Sequence, residues 1–278
     1  MAIQQLKSKL VLVTGAGSGI GLEIALAFAR QGARLLLTDI NASALESARA
    51  AVTQLHVQCQ TCQVDVSDPV AMQALANQVE MEHGAPDVLV NNAGIAFLGS
   101  FQATPLQQWQ RTLNINVMGV VHGCHFFLPA MQRAGGERHI VNIASAAGLA
   151  ATFNMSAYSA SKHAIVGLSD SLALELAESS VSVSVVCPGI INTPIAQFNA
   201  ASVGANIRPD QVLKLGDFYR KSGAHPSVVG AAVVDAVRKG TGLVLVGPYA
   251  ALIYHLRRIS RSLLHKILIA ESKKMGWF

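Results

Sequence analysis

A tyrosine and a lysine four residues apart, Tyr158 and Lys162, form the pair in this sequence best suited to acid–base chemistry. They fall in a helical pattern, and residues four apart in a helix share a face. A phenol titrates near pH ~10, and lowering its pKa by about 3 units takes about 4 kcal/mol of differential interaction, which a nearby ammonium favours. We therefore expect Tyr158 to exchange a proton with an alcohol or carbonyl substrate.

A glycine-rich segment follows the first apolar run of the chain, Leu10–Thr14, and precedes a helical pattern. Gly15 would permit a tight turn, Gly19 would let the backbone approach a pyrophosphate, and Gly21 would let the helix pack closely on the strand. The helix N-terminus would add free N–H groups and the positive end of its dipole. This context predicts a site for the phosphates of a dinucleotide.

An acidic residue, Asp39, ends the second apolar run about 20 residues past the glycines. A carboxylate at this place can accept hydrogen bonds from both ribose hydroxyls and would repel a 2′-phosphate. Position 18 is serine and position 40 is isoleucine, so no basic side chain adjoins to reverse that repulsion. The pattern favours NAD over NADP as the cofactor.

Short apolar runs alternate with longer helical patterns along the chain, which predicts parallel strands joined by helical crossovers. The predicted strands are Leu10–Thr14, Arg34–Asp39, Val57–Asp65, Val88–Asn91, His139–Ile143, Ser182–Val186 and Gly242–Val246. The predicted helices are Gly19–Gln31, Ala42–Gln54, Pro69–Glu82, Pro105–Arg133, Met155–Glu178 and Ser227–Lys239. We expect an α/β fold with a doubly wound, seven-stranded parallel sheet and helices on both faces, as in Rossmann folds.

The organisation predicts one nucleotide-binding and catalytic domain over residues 1–248. Residues 189–226 have weaker periodicity and several turn residues, which is typical of a loop insertion that shapes a substrate pocket. Residues 249–278 form a separate C-terminal extension.

Several motifs in a fixed order make the chain similar to the short-chain dehydrogenase/reductase family, in its single-domain branch. They are Thr14-Gly15-x-x-x-Gly19-x-Gly21, Asn91-Asn92-Ala93-Gly94, Asn116, Ser145, Tyr158-x-x-x-Lys162 and Pro188-Gly189. The resemblance covers about residues 8–247, and the spacing of 13 between Ser145 and Tyr158 also fits. It implies a hydride transfer between NAD(H) and a CH–OH group.

The resemblance implies a catalytic set of Asn116, Ser145, Tyr158 and Lys162. In this set Ser145 would hydrogen-bond the substrate oxygen, and Lys162 would reach the nicotinamide ribose. Asn116 would hold a water that connects the lysine to solvent.

The same resemblance implies cofactor contacts from the glycine-rich turn and from the carboxyl ends of the strands. Asp65 and Val66 would flank the adenine, Thr193 would contact the carboxamide, and Ile190 would lie along the nicotinamide. The full set of expected cofactor-binding residues is Gly15, Ser18, Gly19, Ile20, Gly21, Asp39, Asp65, Val66, Asn92, Ala93, Gly94, Tyr158, Lys162, Pro188, Gly189, Ile191 and Thr193.

Mostly apolar residues flank the catalytic positions, and ordinary core packing is an equally good reading of each. The candidates for substrate contact are Phe97, Ala147, Leu149, Phe153, Met155, Ile195 and Phe198. Lys162 apart, no arginine or lysine adjoins Ser145 or Tyr158, although Arg208 and Lys214 could act at longer reach. We expect a neutral, fairly apolar secondary alcohol or ketone.

The charge of the chain is unevenly placed. The net charge is +5, and residues 257–278 carry six Lys/Arg against one Glu, so the first 256 residues are neutral overall. The main body therefore does not indicate a nucleic-acid partner. The histidines have no acidic partner at ligand spacing, and the Cys59-x-x-Cys62 pair falls in a strand pattern, so we expect neither a metal nor a redox motif. A cytoplasmic homodimer or homotetramer fits these observations.

Apolar residues recur at three- and four-residue steps in the extension, with basic residues mainly between them, which predicts one basic amphipathic helix. The apolar positions are Tyr249, Leu252, Ile253, Leu256, Ile259, Leu263, Leu264, Ile267 and Leu268. This stripe could pack on its own or a neighbouring subunit, lie on an anionic membrane surface with Trp277 and Phe278, or remain solvated.

Two alternatives to this interpretation stay open at this point. One is an NAD-binding regulator without turnover, although such a protein has no need of Tyr158. The other is a membrane-surface enzyme of the same family that acts on a lipid-like, steroid or retinoid substrate.

Overall fold

Parallel strands of four to eight residues form the centre of the computed structural model, which describes residues 2–277. The strands in this part are β1 (Leu10–Thr14), β2 (Arg34–Asp39), β3 (Cys59–Gln63), β4 (Val88–Asn91), β5 (Arg138–Ile143), β6 (Val181–Pro188) and β7 (Leu243–Val246). They pair in the order β3-β2-β1-β4-β5-β6-β7, and every pairing is parallel. The predicted seven-stranded sheet is confirmed.

Helices connect the strands and continue after the last one. They are α1 (Gly19–Ala29), α2 (Ala42–Thr53), α3 (Pro69–His83), α4 (Leu106–Leu113), α5 (Gly119–Ala134), α6 (Ser156–Glu175), α7 (Pro209–Ser222), α8 (Ser227–Lys239), α9 (Ala250–Ile259) and α10 (Arg261–Lys274). Asp68 begins α3 by accepting hydrogen bonds from two backbone amides, and Pro69 occupies the first helical position.

Two hydrophobic cores lie on opposite faces of the sheet. On one face, Ile24 of α1 and Val233 of α8 pack with the fully buried Val11 and Val13 of β1. On the other face, Phe127 of α5 and other buried helical side chains cover Leu12 of the same strand. Burial on both faces explains why β1 is a continuous apolar run with no polar alternation.

The chain order reverses between β1 and β4, where β1 connects outward to β2 and β3 and the later strands extend in the other direction. Open α/β sheets bind ligands in the crevice at the carboxyl ends of the strands at such a reversal. The glycine-rich turn after β1 and the Asn92–Gly94 turn after β4 both lie at this point.

The long helix expected over residues 105–133 is interrupted in the structure. Helix α4 ends at Leu113, a π-helical turn spans Asn114–Met118, and α5 then begins at Gly119. Apolar periodicity continues across such a turn, so the sequence pattern does not show it. A single-turn π-bulge inside a helix often marks a functional position, and this one contains Asn116.

The C-terminal extension also differs from the single helix that was expected. Ser260 has an extended backbone and separates α9 from α10, which it begins by accepting a hydrogen bond from the Leu263 amide. Both helices lie against the chain's own body, with Ala250 and Leu264 buried and Ile253 packed on a core. Phe278 lies outside the described residues. No helix within residues 2–277 is both long and apolar enough to cross a membrane.

A matched pair of helical glycines tests how α5 is seated on the sheet. A Cβ on Gly123 would lie 2.1 Å from Oδ1 of Asn91, a buried residue of β4, whereas one on Gly167 in α6 would meet nothing within 4 Å. We expect Gly123→Ala to lower the free energy of unfolding by about 1–3 kcal/mol through overpacking. Gly167→Ala should raise it by about 0.5–1 kcal/mol through helix propensity. Denaturant unfolding of both variants measures the contrast, and equal changes would contradict the packing described here.

Candidate active site

The glycine-rich turn and the turn after β4 are joined directly. The Thr14 hydroxyl accepts hydrogen bonds from the amides of Asn92 (3.0 Å) and Ala93 (3.1 Å). The Asn92 side chain in return donates to the carbonyls of Thr14 (2.9 Å) and Gly15 (3.0 Å). Gly15 has a φ of +64°, and a Cβ there would lie 2.7 Å from the Ala93 Cα. The close approach of the two turns therefore requires glycine at position 15.

The start of α1 fits a dinucleotide pyrophosphate. Ser18 is the N-cap residue with an extended backbone, and within residues 2–277 no side chain caps this helix. A Cβ on Gly21 would lie 2.2 Å from the Gly15 carbonyl oxygen, so the helix can approach the turn only without a side chain there. The uncapped amides and the helix dipole favour an anion at this end. Ile20, another expected contact, packs partly against the core.

The carboxylate of Asp39 lies over the glycine-rich turn. Its Oδ2 accepts from the Gly17 amide and its Oδ1 from the Asn41 amide, each at 2.9 Å. A Cβ on Gly17 would lie 2.9 Å from that same Oδ2. These bonds fix the carboxylate at the carboxyl end of β2, where an adenine-side ribose of a dinucleotide would lie.

Asp65 and Val66 lie in the loop after β3, beyond the end of the strand. The predicted strand Val57–Asp65 is too long at both ends, because His56 has a φ of +58° and Asp65 forms a local turn with Ser67. The Val66 side chain is buried against Gly119, and its carbonyl accepts a hydrogen bond from Nδ1 of His122 at 2.8 Å. Both residues remain proposed contacts of the adenine.

Tyr158, Lys162 and Ser145 meet at the carboxyl ends of β4 and β5. The Lys162 Nζ lies 5.7 Å from the centroid of the Tyr158 ring and donates a hydrogen bond of 2.8 Å to the Ile143 carbonyl at the end of β5. Ser145 lies near enough to the Tyr158 side chain to favour its ionised form, and the Ser145 hydroxyl accepts a hydrogen bond from the Ala147 amide at 3.1 Å. Helix α6 thus places Tyr158 and Lys162 on one face, as their spacing predicts.

Burial changes the proton affinities of this pair. Desolvation raises the pKa of Tyr158 to about 12, although the nearby Ser145 side chain favours the phenolate. Desolvation also lowers the pKa of Lys162 from 10.5 to about 8. Desolvation is the largest influence on Tyr158 in the ligand-free protein, so a lowered pKa would require the charges of the Lys162 ammonium and of a bound oxidised cofactor. Tyr158 is a neutral phenol in this state.

Asn116 is fully buried and connects three segments of the site. Its Oδ1 accepts from the Ile95 amide (2.8 Å), while its Nδ2 donates to the Ile95 carbonyl (2.9 Å) and to the Ser161 hydroxyl (3.0 Å). A Cβ on Gly94 would lie 3.3 Å from Oδ1 of Asn116 and 3.5 Å from Nζ of Lys162. Asn116 and Lys162 therefore face the same space beside Gly94, and the proposed water relay keeps its geometric basis.

The end of β6 forms the other side of the crevice. Pro188 ends this strand, and a Cβ on Gly189 would overlap the Pro248 carbonyl oxygen at 1.8 Å. The buried Thr193 lies across from Gly19, where an added Cβ would be 3.5 Å from the Thr193 Cβ. Ile191 packs into the core, so any contact it makes with a cofactor would come from its backbone. Thr193 and the glycine-rich turn border one crevice.

The candidate substrate residues fall into two groups. Phe153 and Ile195 are 36% and 39% exposed, and Phe198 is half-buried, so these three are accessible to a ligand. The buried ones are Phe97, Ala147, Leu149 and Met155. The Leu149 side chain packs in the core on one face of the sheet, and its role as a substrate contact stays a prediction.

Helix α7 and the C-terminal extension bring two aromatic residues near candidate site residues, and sequence reasoning did not place them there. The charge of a Tyr219 phenolate would raise the pKa of Tyr158, so the two phenols share one environment. The Trp277 ring lies 6.3 Å from the Phe153 ring, centroid to centroid. Weak periodicity concealed α7 within residues 189–226, and the family resemblance ends before Trp277.

The cysteine pair is not arranged for redox chemistry. Cys59 and Cys62 lie on β3 at the edge of the sheet, Cys59 against the core on one face and Cys62 against the core on the other. Both thiols are free, and desolvation raises the pKa of Cys59 to about 11. Across residues 2–277, no group of three or more His, Cys, Asp or Glu side chains could hold a metal ion.

Comparison with known proteins points to one family. The family model described as short chain dehydrogenase matches residues 9–203. The chain is 38% identical over 253 residues to a Mycobacterium tuberculosis protein named "Probable oxidoreductase EphD". The matched region covers 90% of this chain but only 43% of that relative, so the chain spans less than half of its length. It is 34% identical over 238 residues to the cyclohexanol dehydrogenase of Acinetobacter sp. (strain SE19), covering 82% of this chain and 94% of the relative.

A solved structure has the same fold. It is a short chain dehydrogenase/reductase from Burkholderia phymatum in complex with NAD, 29% identical, with a TM-score of 0.85. The match covers 94% of this chain and 96% of that one. The fold match thus extends beyond the region of the family model.

Proposed function

We propose that this chain, which belongs to the short-chain dehydrogenase family, is an oxidoreductase that transfers hydride between NAD(H) and a neutral secondary alcohol or ketone. Tyr158 acts as the general acid and base. The observation that carries the proposal is the meeting of Tyr158, Lys162 and Ser145 beside Gly94 at the reversal of the sheet.

The cofactor and the three side chains have separate roles in this reaction. The nicotinamide cofactor, when bound, accepts or supplies the hydride. Tyr158 is a neutral phenol in the ligand-free protein, so it can donate its proton to a ketone oxygen as the carbonyl is reduced. In the oxidation direction Tyr158 must first release its own proton toward the space that Lys162 and Asn116 share, and the Lys162 ammonium and the positive charge of an oxidised cofactor would favour the resulting phenolate. The phenolate then takes the alcohol proton, while the Ser145 hydroxyl donates a hydrogen bond to the substrate oxygen.

The charges around the crevice support a neutral substrate. The two cations that the sequence analysis named for a substrate carboxylate, Arg208 and Lys214, both pair with Asp210, at 3.0 and 3.6 Å. The accessible candidates Phe153, Ile195 and Phe198 are apolar. Recruiting either cation for the carboxylate of a hydroxy acid would break an exposed ion pair at a cost of about 0–1 kcal/mol, so these pairs disfavour such a substrate only slightly.

A substrate panel tests the proposal. Cyclohexanol and other secondary alcohols are supplied with NAD, the matching ketones with NADH, and absorbance of the reduced cofactor is followed. We expect turnover of neutral alcohols and little turnover of 3-hydroxybutyrate. A preference for the hydroxy acid would contradict the neutral substrate, and the absence of turnover for all of them would support the non-catalytic regulator instead.

The preference for NAD over NADP rests on Asp39. Its carboxylate is held beside the glycine-rich turn by the Gly17 and Asn41 amides, where it would repel the 2′-phosphate of NADP. We expect Asp39→Ser to shift the ratio of kcat/KM values for NAD and NADP toward NADP by about 10²-fold, which is about 2.7 kcal/mol. Initial rates with both cofactors measure the ratio.

Asp235→Asn is the matched control for Asp39→Ser, because this exposed carboxylate pairs with Lys239 on α8. It should leave the cofactor ratio unchanged. An unchanged ratio in Asp39→Ser as well would assign cofactor choice to another residue.

The assembly and location of the enzyme complete the proposal. We propose a cytoplasmic homodimer or homotetramer. Exposed apolar side chains on the outer side of the extension, among them Leu252, Ile259 and Leu263, favour a contact with a second copy or with a membrane surface. Size-exclusion chromatography distinguishes the first case and liposome flotation the second.

A further inference from the structure

We call the C-terminal extension, residues 249–277 of the described chain, the C-terminal strap. Hydrogen bonds hold it against the loop that follows Ser145 and against helix α6. At its near end, the Arg257 guanidinium donates to the Leu149 carbonyl and contacts Nε2 of His163 at 2.8 Å. Nδ1 of His163 bonds the Ser159 carbonyl at 2.8 Å. Since a carbonyl only accepts, Nδ1 carries the proton and Nε2 accepts from Arg257. The strap is thus attached to the residues around Ser145 and Lys162.

The far end of the strap is fastened to α7. The Gln211 side chain, only 4% exposed, donates a hydrogen bond of 2.6 Å to the Gly276 carbonyl. Gly276 has a φ of +77°, which turns the chain end away from the axis of α10. Between the two ends, the buried Leu264 packs the strap against the body.

This turn places Trp277 beside Phe153. The ring centroids are 6.3 Å apart and the planes are tilted by 36°. Phe153 lies between Ser145 and Tyr158 in sequence and is 36% exposed, and Trp277 is also partly exposed. Helix α7, which holds the strap, carries Tyr219 into the environment of Tyr158. The strap therefore brings Trp277 to a partly exposed aromatic side chain in the segment that joins Ser145 to Tyr158.

We propose that Trp277 is a specificity-determining residue that, with Phe153, forms an outer aromatic wall of the substrate site and favours alcohols and ketones with a large apolar or aromatic group beyond the reacting carbon. This inference rests on the proposed function and adds the strap to it. Aromatic rings bury large areas and gain from offset or tilted contacts with other rings. The wall therefore contributes to binding of the distant part of the substrate and little to the reacting carbon.

A pair of substrates that differ only at a distance from the hydroxyl tests the wall. Trp277→Ala should raise the KM for 4-phenylcyclohexanol by about three- to tenfold, the range expected for one aromatic contact. The KM for cyclohexanol and the Kd for NAD should change by less than about twofold. Ile259→Ala, which shortens an apolar strap side chain that is 80% exposed, is the control and should change none of these values.

The outcomes separate the wall from a structural role of the strap. Equal increases of both KM values in Trp277→Ala would overturn the proposal, because general loosening of the site affects both alcohols. Unchanged KM values for both alcohols would overturn it too. If the parent enzyme oxidises neither alcohol, the proposed function fails, and a second measurement decides on the wall.

The second measurement needs no turnover. The chain has two tryptophans, so Trp109→Phe leaves Trp277 as the sole source of tryptophan fluorescence. Addition of 4-phenylcyclohexanone to this variant with NAD should change the Trp277 emission saturably, and cyclohexanone should not. No change with the phenyl ketone, or equal changes with both ketones, would place Trp277 away from the substrate and overturn the proposal.

Discussion

Replacement of Tyr158 by phenylalanine should lower kcat about 10²- to 10⁴-fold in both directions of the reaction, the range that general acid–base catalysis contributes. The ring and its packing on α6 remain, while the proton that passes to or from the substrate oxygen is lost. Because the substitution removes a single hydroxyl, whose interaction with Ser145 is worth about 1 kcal/mol, the effect on folding should be small. Initial rates with a secondary alcohol and NAD, and with the ketone and NADH, measure it.

Two further readouts distinguish lost chemistry from a lost fold. Tyr158→Phe should bind NAD with a Kd within about fivefold of the parent, since the loss of one neutral hydrogen bond costs about 1 kcal/mol. Tyr249→Phe removes a hydroxyl from a half-exposed tyrosine at the start of the strap and should keep full activity. Equal turnover by the parent and Tyr158→Phe would contradict the assigned role.

Replacement of Lys162 by methionine should lower kcat/KM about 10²- to 10³-fold, as the loss of one preorganised donor does in other active sites. The effect of Lys162→Met on the free energy of unfolding should be small, because two contributions oppose each other. Methionine removes a desolvation cost of about 3 kcal/mol, which corresponds to the lowered pKa of the lysine, but leaves the Ile143 carbonyl without its donor, at about 1–3 kcal/mol. The free energy of unfolding at pH 7 should therefore change by less than about 2 kcal/mol.

The pH dependence of unfolding checks this explanation. The folded-state pKa of Lys162, about 8, is below the unfolded value of 10.5, so the unfolded chain binds the proton more tightly. Stability is thus reduced below about pH 8, and the reduction is relieved as the pH rises through this window. Relative to Lys162→Met, the parent should gain stability between these two pH values. A parallel pH dependence of the two proteins would show that Lys162 is not desolvated.

Much of the fold follows from patterns that depend on local sequence alone. The strands β1, β2 and β4 have the predicted bounds, because a strand covered on both faces is a continuous apolar run. The glycine-rich turn was also predictable, since the positive φ of Gly15 and its approach to Ala93 admit no side chain. The Tyr158 and Lys162 pair follows from helical spacing.

The features that the sequence did not predict depend on contacts between distant segments. The π-helical turn that contains Asn116 keeps the apolar periodicity of its helix, so no sequence signal marks it. The raised pKa of Tyr158 depends on how much water the folded site excludes, which helical spacing does not report. The bond between Gln211 and Gly276 joins residues 65 apart and brings Trp277 to Phe153. No local sequence pattern predicts this contact between distant segments.

Transfer of a labelled hydride tests the central claim most directly. Cyclohexanol that carries deuterium on its carbinol carbon is incubated with the enzyme and NAD, and the reduced cofactor is analysed by mass spectrometry. We predict one deuterium on the nicotinamide of the NADH formed, and none in a parallel reaction with unlabelled alcohol in deuterated water. NADH that acquires its label from the solvent, or the absence of reduced cofactor with labelled cyclohexanol and with every other neutral alcohol supplied, would contradict the account.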